Sequence, residues 1–98
     1  MKRKYYSAKR RAIMAKGDDI IHLVVFERDE WICHICNRLI NKHLRGDHWW
    51  RATLDHVIPI CKGGTHTYEN VRAAHWRCNM LKGDGLTELI NSDIVDTT

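Results

Sequence analysis

Two short pairs of metal-ligating residues constrain this chain more than anything else in it. Cys33-His-Ile-Cys36 is a CxxC, and His75-Trp-Arg-Cys78 is an HxxC of the same spacing. Each pair offers two ligands from one tight turn. Together they supply the four corners of a tetrahedral Zn²⁺ site and leave no position for water, which marks a structural site. Alternatives remain open at this point. A CxxC alone also suits a redox dithiol. The fourth cysteine, Cys61, could replace His75 as a ligand, although no partner stands at the matching spacing from it. Its plainer reading is a small, half-buried thiol. Two disulfides fit the count of four cysteines but not the ligand spacing.

The other bounds are broad. A chain of 98 residues and 11.5 kDa is at most one domain. It is too short for a parallel α/β nucleotide-binding fold. A chain this size buries only ~60–65% of its unfolded surface, and such domains often need a staple. No run approaches the ~20 apolar residues of a membrane span, so no membrane association is expected. The opening Met1-Lys-Arg-Lys-Tyr-Tyr leads into no apolar run, so no secretory signal is expected.

Charge is concentrated at the start. Lys2, Arg3, Lys4, Lys9, Arg10, Arg11 and Lys16 fall in residues 1–16 without one acidic residue, whereas the rest of the chain is acidic on balance. A block of this kind reads as a contact for nucleic acid or another anionic surface; the plain alternative is a solvated start or a localisation signal. Tyr5 and Tyr6 could stack on bases or sugars. The expected division is a basic arm over 1–18, a domain over 19–90 and a tail over 91–98.

Periodicity gives a coarse path. Ile20, Leu23, Val24 and Phe26 share helical spacing over 19–29, with Gly17-Asp18-Asp19 as the helix start. Residues 37–51 read as an irregular loop. Residues 52–60 read as a strand that Pro59 stops or confines to an edge. Asn70 to Ala73 can return as a second strand, 76–82 as a short helix ended by Gly83 and Gly85, and 86–90 as a further turn. The four tryptophans are expected to pack, and His22, His34, His43 and His48 are read as surface or packing residues. His34, inside the first pair, is not expected to ligate the same ion.

One ordered set of residues lies between the two pairs and beyond them. Leu54-Asp55-His56-Val57-Ile58-Pro59 precedes Gly63-Gly64; Glu69-Asn70-Val71 follows; His75-Trp-Arg-Cys78-Asn79-Met-Leu-Lys82-Gly83-Asp84 ends it. From about Val25 to Asp84 this resembles the HNH endonuclease family, in its zinc-bearing branch. HxxC stands where many members carry a second CxxC, and Asn79 stands at the final His of the family name, where many members carry Asn. The resemblance implies an α+β fold: a small ββα-metal, treble-clef-like domain, here with a structural zinc site and a basic N-terminal extension. It implies a metal-dependent endonuclease that leaves 5′-phosphate and 3′-hydroxyl ends. It also implies that Asn70 holds the loop and orients His56. Small standalone members occur in bacteria and phages, which points to the cytoplasm (the bacterial host's, if phage-encoded).

Phosphodiester hydrolysis needs an activated water, neutralised phosphate charge and help for the leaving oxygen. His56 can take a proton from water near neutral pH. Asp55 is a hard donor for Mg²⁺ or Mn²⁺, and Asn79 can add an oxygen without charge. Asn79 and Lys82 share a helix face, so Lys82 is expected on the phosphate. His66 is expected as an auxiliary group there. Adjacent strand residues face opposite ways, so Asp55 and His56 can serve one phosphate only at a bulge or strand end. Taken singly, each residue has a plain role: a turn cap, a strand histidine, a turn amide, a helix-surface amide. The rival to a nuclease is a non-catalytic zinc module that binds DNA, or a subunit of a packaging, restriction or mobility complex. The partner expected in either case is DNA, duplex and with weak sequence preference. Seven cations tracking phosphates make a direct prediction. Deleting residues 1–16 weakens DNA binding and flattens the salt dependence of affinity, by about 0.9 in log–log slope for each phosphate that is no longer neutralised. Zinc content stays unchanged. Binding titrations at several salt concentrations test this, and an unchanged slope refutes it.

Overall fold

The computed structural model describes residues 16–91. Helix α1 (His22–Arg28) leads into the Cys33–Cys36 turn. A long irregular loop follows, as the Gly- and His-containing stretch 37–51 suggests. Strand β1 (Ala52–His56) then pairs antiparallel with β2 (Val71–His75), in the register Ala52↔His75 to His56↔Val71. Helix α2 (Trp76–Gly83) follows β2 without a break, and a 3₁₀ turn (Thr87–Leu89) closes the described chain. The result is the small α+β frame of a ββα-metal domain.

The core is small: Phe26, Ile40 and Ile90 pack with Cys33, Cys78, Ala73 and Ala74. Both alanines are fully buried. Because they lie on opposite faces of β2, neighbours approach its backbone closely from both sides. α1 departs from the sequence reading. It starts at His22, after extended Ile21, and it buries Val25 and Phe26, whereas Leu23 and Val24 remain 56% and 49% exposed. Polar bonds add to this packing. Arg28 donates to the Tyr68 and Val71 carbonyls at 2.8 and 2.6 Å, and Asp29 Oδ2 accepts the Ala73 N–H at 2.8 Å. The His34 N–H reaches the Ala73 carbonyl at 3.0 Å. The outer edge of β2 is thereby closed without a third strand. Burial opposes charge on Asp29, but the bonds from Arg28 and the Ala73 N–H, with the charges of Arg28 and Arg72, hold its carboxyl below the usual range.

Asp18 and Asp19 begin no helix. The Asp18 N–H instead donates to the His66 carbonyl at 2.7 Å, and Asp18 Oδ2 accepts the Tyr68 N–H. β1 ends at His56, four residues short of the stretch that reads as strand, because the chain must turn before Pro59. Asn70 holds that turn: Oδ1 accepts the Ile58 N–H, while Nδ2 donates to the Ile58 and Thr65 carbonyls. The two glycines of the loop have separate reasons. Gly63 takes a left-handed φ of +95°, and a Cβ on Gly64 would lie 1.8 Å from the Ile58 carbonyl oxygen.

α2 is secured at both ends. The Trp76 and Arg77 N–H groups, orphans of the first turn, donate to the Arg51 and Trp49 carbonyls at 2.8 and 2.9 Å. At the other end Gly85, at φ +74°, lets the Leu86 N–H return to the Leu81 carbonyl, which stops the helix. Buried Arg77 donates to the Ile90 and Leu89 carbonyls and so pins the closing turn. The tryptophans pack edge to face, exposed Trp49 on half-buried Trp76 and half-buried Trp50 on His75, with ring centroids 5.4 and 5.1 Å apart. Among the described residues, no helix is long and apolar enough to cross a membrane.

Candidate metal centre and active site

The Cys33–Cys36 turn is built by a short hairpin. Ile32 bridges Leu39, the Cys33 N–H donates to Arg38, and Asn37 takes a left-handed φ of 64° to reverse the chain. The second pair straddles the junction of β2 and α2, so a strand end and a helix start aim their side chains at the same point. The ligand atoms of Cys33, Cys36, His75 and Cys78 all lie within 4.8 Å of one another. Tetrahedral zinc with Zn–S bonds of ~2.3 Å has donor separations of ~3.8 Å, so this set fits zinc. Cys61 is exposed and stands outside the cluster. The ligand set with His75 is therefore the one that the fold assembles.

His75 is oriented for this task. Its Nε2–H donates to the Leu39 carbonyl at 3.2 Å, which turns Nδ1 to the Cys36 and Cys78 sulfurs at 3.4 and 3.8 Å. A ring nitrogen tied to a carbonyl fixes the tautomer of a ligating histidine. Without metal the four groups compete for protons. Burial disfavours the charged imidazole, yet hydrogen bonds and charge from Cys33 and Cys36 outweigh it and raise His75 to about 9. Hydrogen bonds from Cys36 and Cys78 pull the Cys33 thiol down, while hydrogen bonds with Cys33 and Cys36 push Cys78 up.

The hydrolytic candidates meet where α2 crosses the end of β1. Asp55 is buried at 4% exposure. Lys82, on α2, donates to Asp55 Oδ2 at 2.7 Å and to the His56 carbonyl at 3.0 Å. Asn79, three residues before it, donates from Nδ2 to the Leu54 carbonyl at 3.0 Å. His56 is half-buried, and its Nε2 lies 3.0 Å from His66 Nδ1. β1 ends at His56; the Asp55 carboxylate meets Lys82, whereas the His56 ring meets His66. Asn70 lies in the loop between His56 and β2, bonded to Ile58 and Thr65.

Sequence reading missed one member of this group. His34, read as a surface or packing residue, places Nε2 2.7 Å from Asp55 Oδ2. Its position between two ligands fixes its backbone, but no sequence signal indicates which carboxylate it meets. Both His34 and Lys82 thus bond to Oδ2 of Asp55 and not to Oδ1, and Asn79 keeps its Oδ1 outside its bond to Leu54. One hard oxygen from each of Asp55 and Asn79 suits a Mg²⁺-type ion that retains waters. Of the basic arm, Lys16 is exposed, and Lys2, Arg3, Lys4, Lys9, Arg10 and Arg11 lie outside the described residues.

The HNH endonuclease family model matches residues 33–85. That span covers both ligand pairs, the β1 end and the loop to α2, and more than half of the chain. The chain belongs to the HNH endonuclease family, whose nucleases bind metal ions and act on DNA. Comparison with curated proteins and with solved structures returned no match.

The metal-centre geometry carries a prediction. Purified protein should hold about one zinc per chain by metal analysis, and Cys36→Ala should lose both the zinc and the fold, since structural zinc contributes ~10–16 kcal/mol of apparent binding energy. Zinc must displace the protons that His75 and Cys78 hold, both of which are raised, so its affinity should fall as pH drops. A Cys36→Ala protein that keeps zinc and its Tm refutes the ligand set, as does pH-independent affinity.

Proposed function

We propose that this protein is an endonuclease that hydrolyses DNA phosphodiester bonds with one Mg²⁺- or Mn²⁺-type ion, around a zinc-stabilised frame. The observation that carries the reading is the joining of α2 to the end of β1: Lys82 to Asp55 at 2.7 Å and Asn79 to Leu54 at 3.0 Å, beside the His56–His66 pair at 3.0 Å. A DNA-binding zinc module has no need of a buried carboxylate, an amide oxygen and an imidazole at one strand end.

In this reading His56 is the general base. His56, paired with His66 at 3.0 Å, takes the proton from a water. The resulting hydroxide attacks phosphorus, the 3′ oxygen leaves with a proton from solvent, and the products are 5′-phosphate and 3′-hydroxyl ends. Asp55 and Asn79 would hold the divalent ion. When bound, that ion supplies positive charge to the phosphate and the leaving oxygen. Lys82, bonded to Asp55, would meet a phosphate oxygen of bound DNA, and Asn70 keeps the loop that bears His66 in register with His56. Residues 19–90 form the nuclease domain. The basic arm over 1–18, with Lys2, Arg3, Lys4, Lys9, Arg10, Arg11 and Lys16, tracks duplex phosphates and not bases, so sequence preference is weak.

His56→Ala should fold, hold zinc and bind DNA as the parent does, yet cleave at least ~10²-fold more slowly, the usual loss for a general base. Asp55→Ala and Asn79→Ala should shift the response to added Mg²⁺ to higher concentration. Single-turnover cleavage of labelled duplex measures both effects. Near-normal cleavage by His56→Ala removes the general-base role.

A further inference from the structure

His34 lies between two zinc ligands, and the hydrolytic chemistry of His56, Asp55 and Asn79 leaves it without a role. Its backbone is fixed twice over, by the Cys33–Cys36 turn and by the bond from its N–H to the Ala73 carbonyl at 3.0 Å. Its side chain reaches away from the zinc cluster to Asp55 Oδ2 at 2.7 Å. Lys82 reaches the same oxygen, also at 2.7 Å. These two partners differ in what holds them. Lys82 sits at the end of a flexible four-carbon stem on the last turn of α2, whereas the imidazole of His34 projects on a short stem from a turn that zinc would make rigid.

Resting on the nuclease reading, we propose that His34 is a positioning residue that holds Oδ2 of Asp55 and presents Oδ1 to the hydrolytic cation, so that the zinc turn sets the geometry of the second metal site. A lone carboxylate in a buried site can rotate about its terminal bond. One short bond from an anchored imidazole fixes its plane, and the oxygen turned outward is then defined. Lys82 can exchange between Asp55 and substrate without loss of this orientation, because His34 remains. Partners of this kind commonly govern metal affinity by ~10–100-fold. The two metal sites, separate in chemistry, are then joined through a single side chain between Cys33 and Cys36.

The test measures Mn²⁺ binding to zinc-loaded protein without DNA, from the electron paramagnetic resonance signal of the free ion. His34→Phe, which keeps the bulk and removes the donor, should hold one zinc per chain and bind Mn²⁺ ~10–100-fold more weakly. His34→Gln, whose Nε2 can replace the imidazole donor, should recover most of that affinity. In an Asp55→Ala background, His34→Phe should cause no further loss, an outcome that general loosening of the fold would not give. Equal affinity in His34→Phe and the parent overturns the proposal, as does equal weakening by Phe and Gln. Loss of zinc from both variants also overturns it, since His34 would then act on the zinc turn alone. Asp55→Ala separates the two levels. If it binds Mn²⁺ as the parent does, the nuclease reading of Asp55 fails; if it loses Mn²⁺ while His34→Phe does not, only the positioning role fails.

Discussion

The fold depends on four side chains meeting at one point. Cys33 and Cys36 come from a hairpin turn, and His75 and Cys78 flank the junction of β2 and α2. The cluster of Phe26, Ile40, Ile90, Cys33, Cys78, Ala73 and Ala74 is small, and domains of this size often need a staple. Zinc in this cluster would tie the turn to the strand and the helix, and would remove the proton competition between His75 and its neighbouring thiols. The loop 37–51 then has fixed ends. Its Trp49 and Arg51 carbonyls cap α2, and Trp50 lies against His75.

With that junction fixed, the placement of Asp55, His56, Asn79 and Lys82 follows from short-range geometry. β2 and α2 are continuous, so the pairing of β1 with β2 brings the end of β1 under the α2 face that carries Asn79 and Lys82. The turn before Pro59 ends β1 at His56, and Asn70 clamps the returning loop so that His66 comes to lie against His56. Gly64 is required because the loop passes so close to the Ile58 carbonyl that even a methyl group would collide. The sheet, the helix, the Cys33–Cys36 turn and the loop before β2 together bring in a carboxylate, an amide, an ammonium and three imidazoles.

The parts of this arrangement that the sequence reveals are those that chemistry restricts to few residue types. Thiolates and imidazoles at equal spacing have little other use, and the ordered Asp55, His56, Asn70 and Asn79 set belongs to one family. A bulge or strand end near Asp55 and His56 is legible as a condition for their serving one phosphate, since adjacent residues of a regular strand face opposite ways. What stayed hidden depends on polar contacts between segments far apart in sequence. The apolar period misplaces the buried face of α1 because Arg28 and Asp29 dock the helix through hydrogen bonds, and the period loses its authority when so short a helix packs by its end. His34 was unreadable for a similar reason: its partner lies in another strand, and the interior of a CxxC tolerates many residues. The Asp18 contacts with His66 and Tyr68 join residues about fifty positions apart and leave no local pattern.

The central claim is that a zinc-held frame brings Asp55, His56 and Asn79 together to cut DNA with a second, exchangeable ion. Supercoiled plasmid incubated with the zinc-loaded protein in Mg²⁺, in Mn²⁺ or in a chelator selective for those ions over zinc tests it most directly. The account predicts conversion to nicked or linear DNA with either ion and none with chelator, with ends that ligase can rejoin. Plasmid that is bound and retarded but remains intact with every divalent ion would contradict it, and would make the protein a zinc-stabilised DNA-binding module.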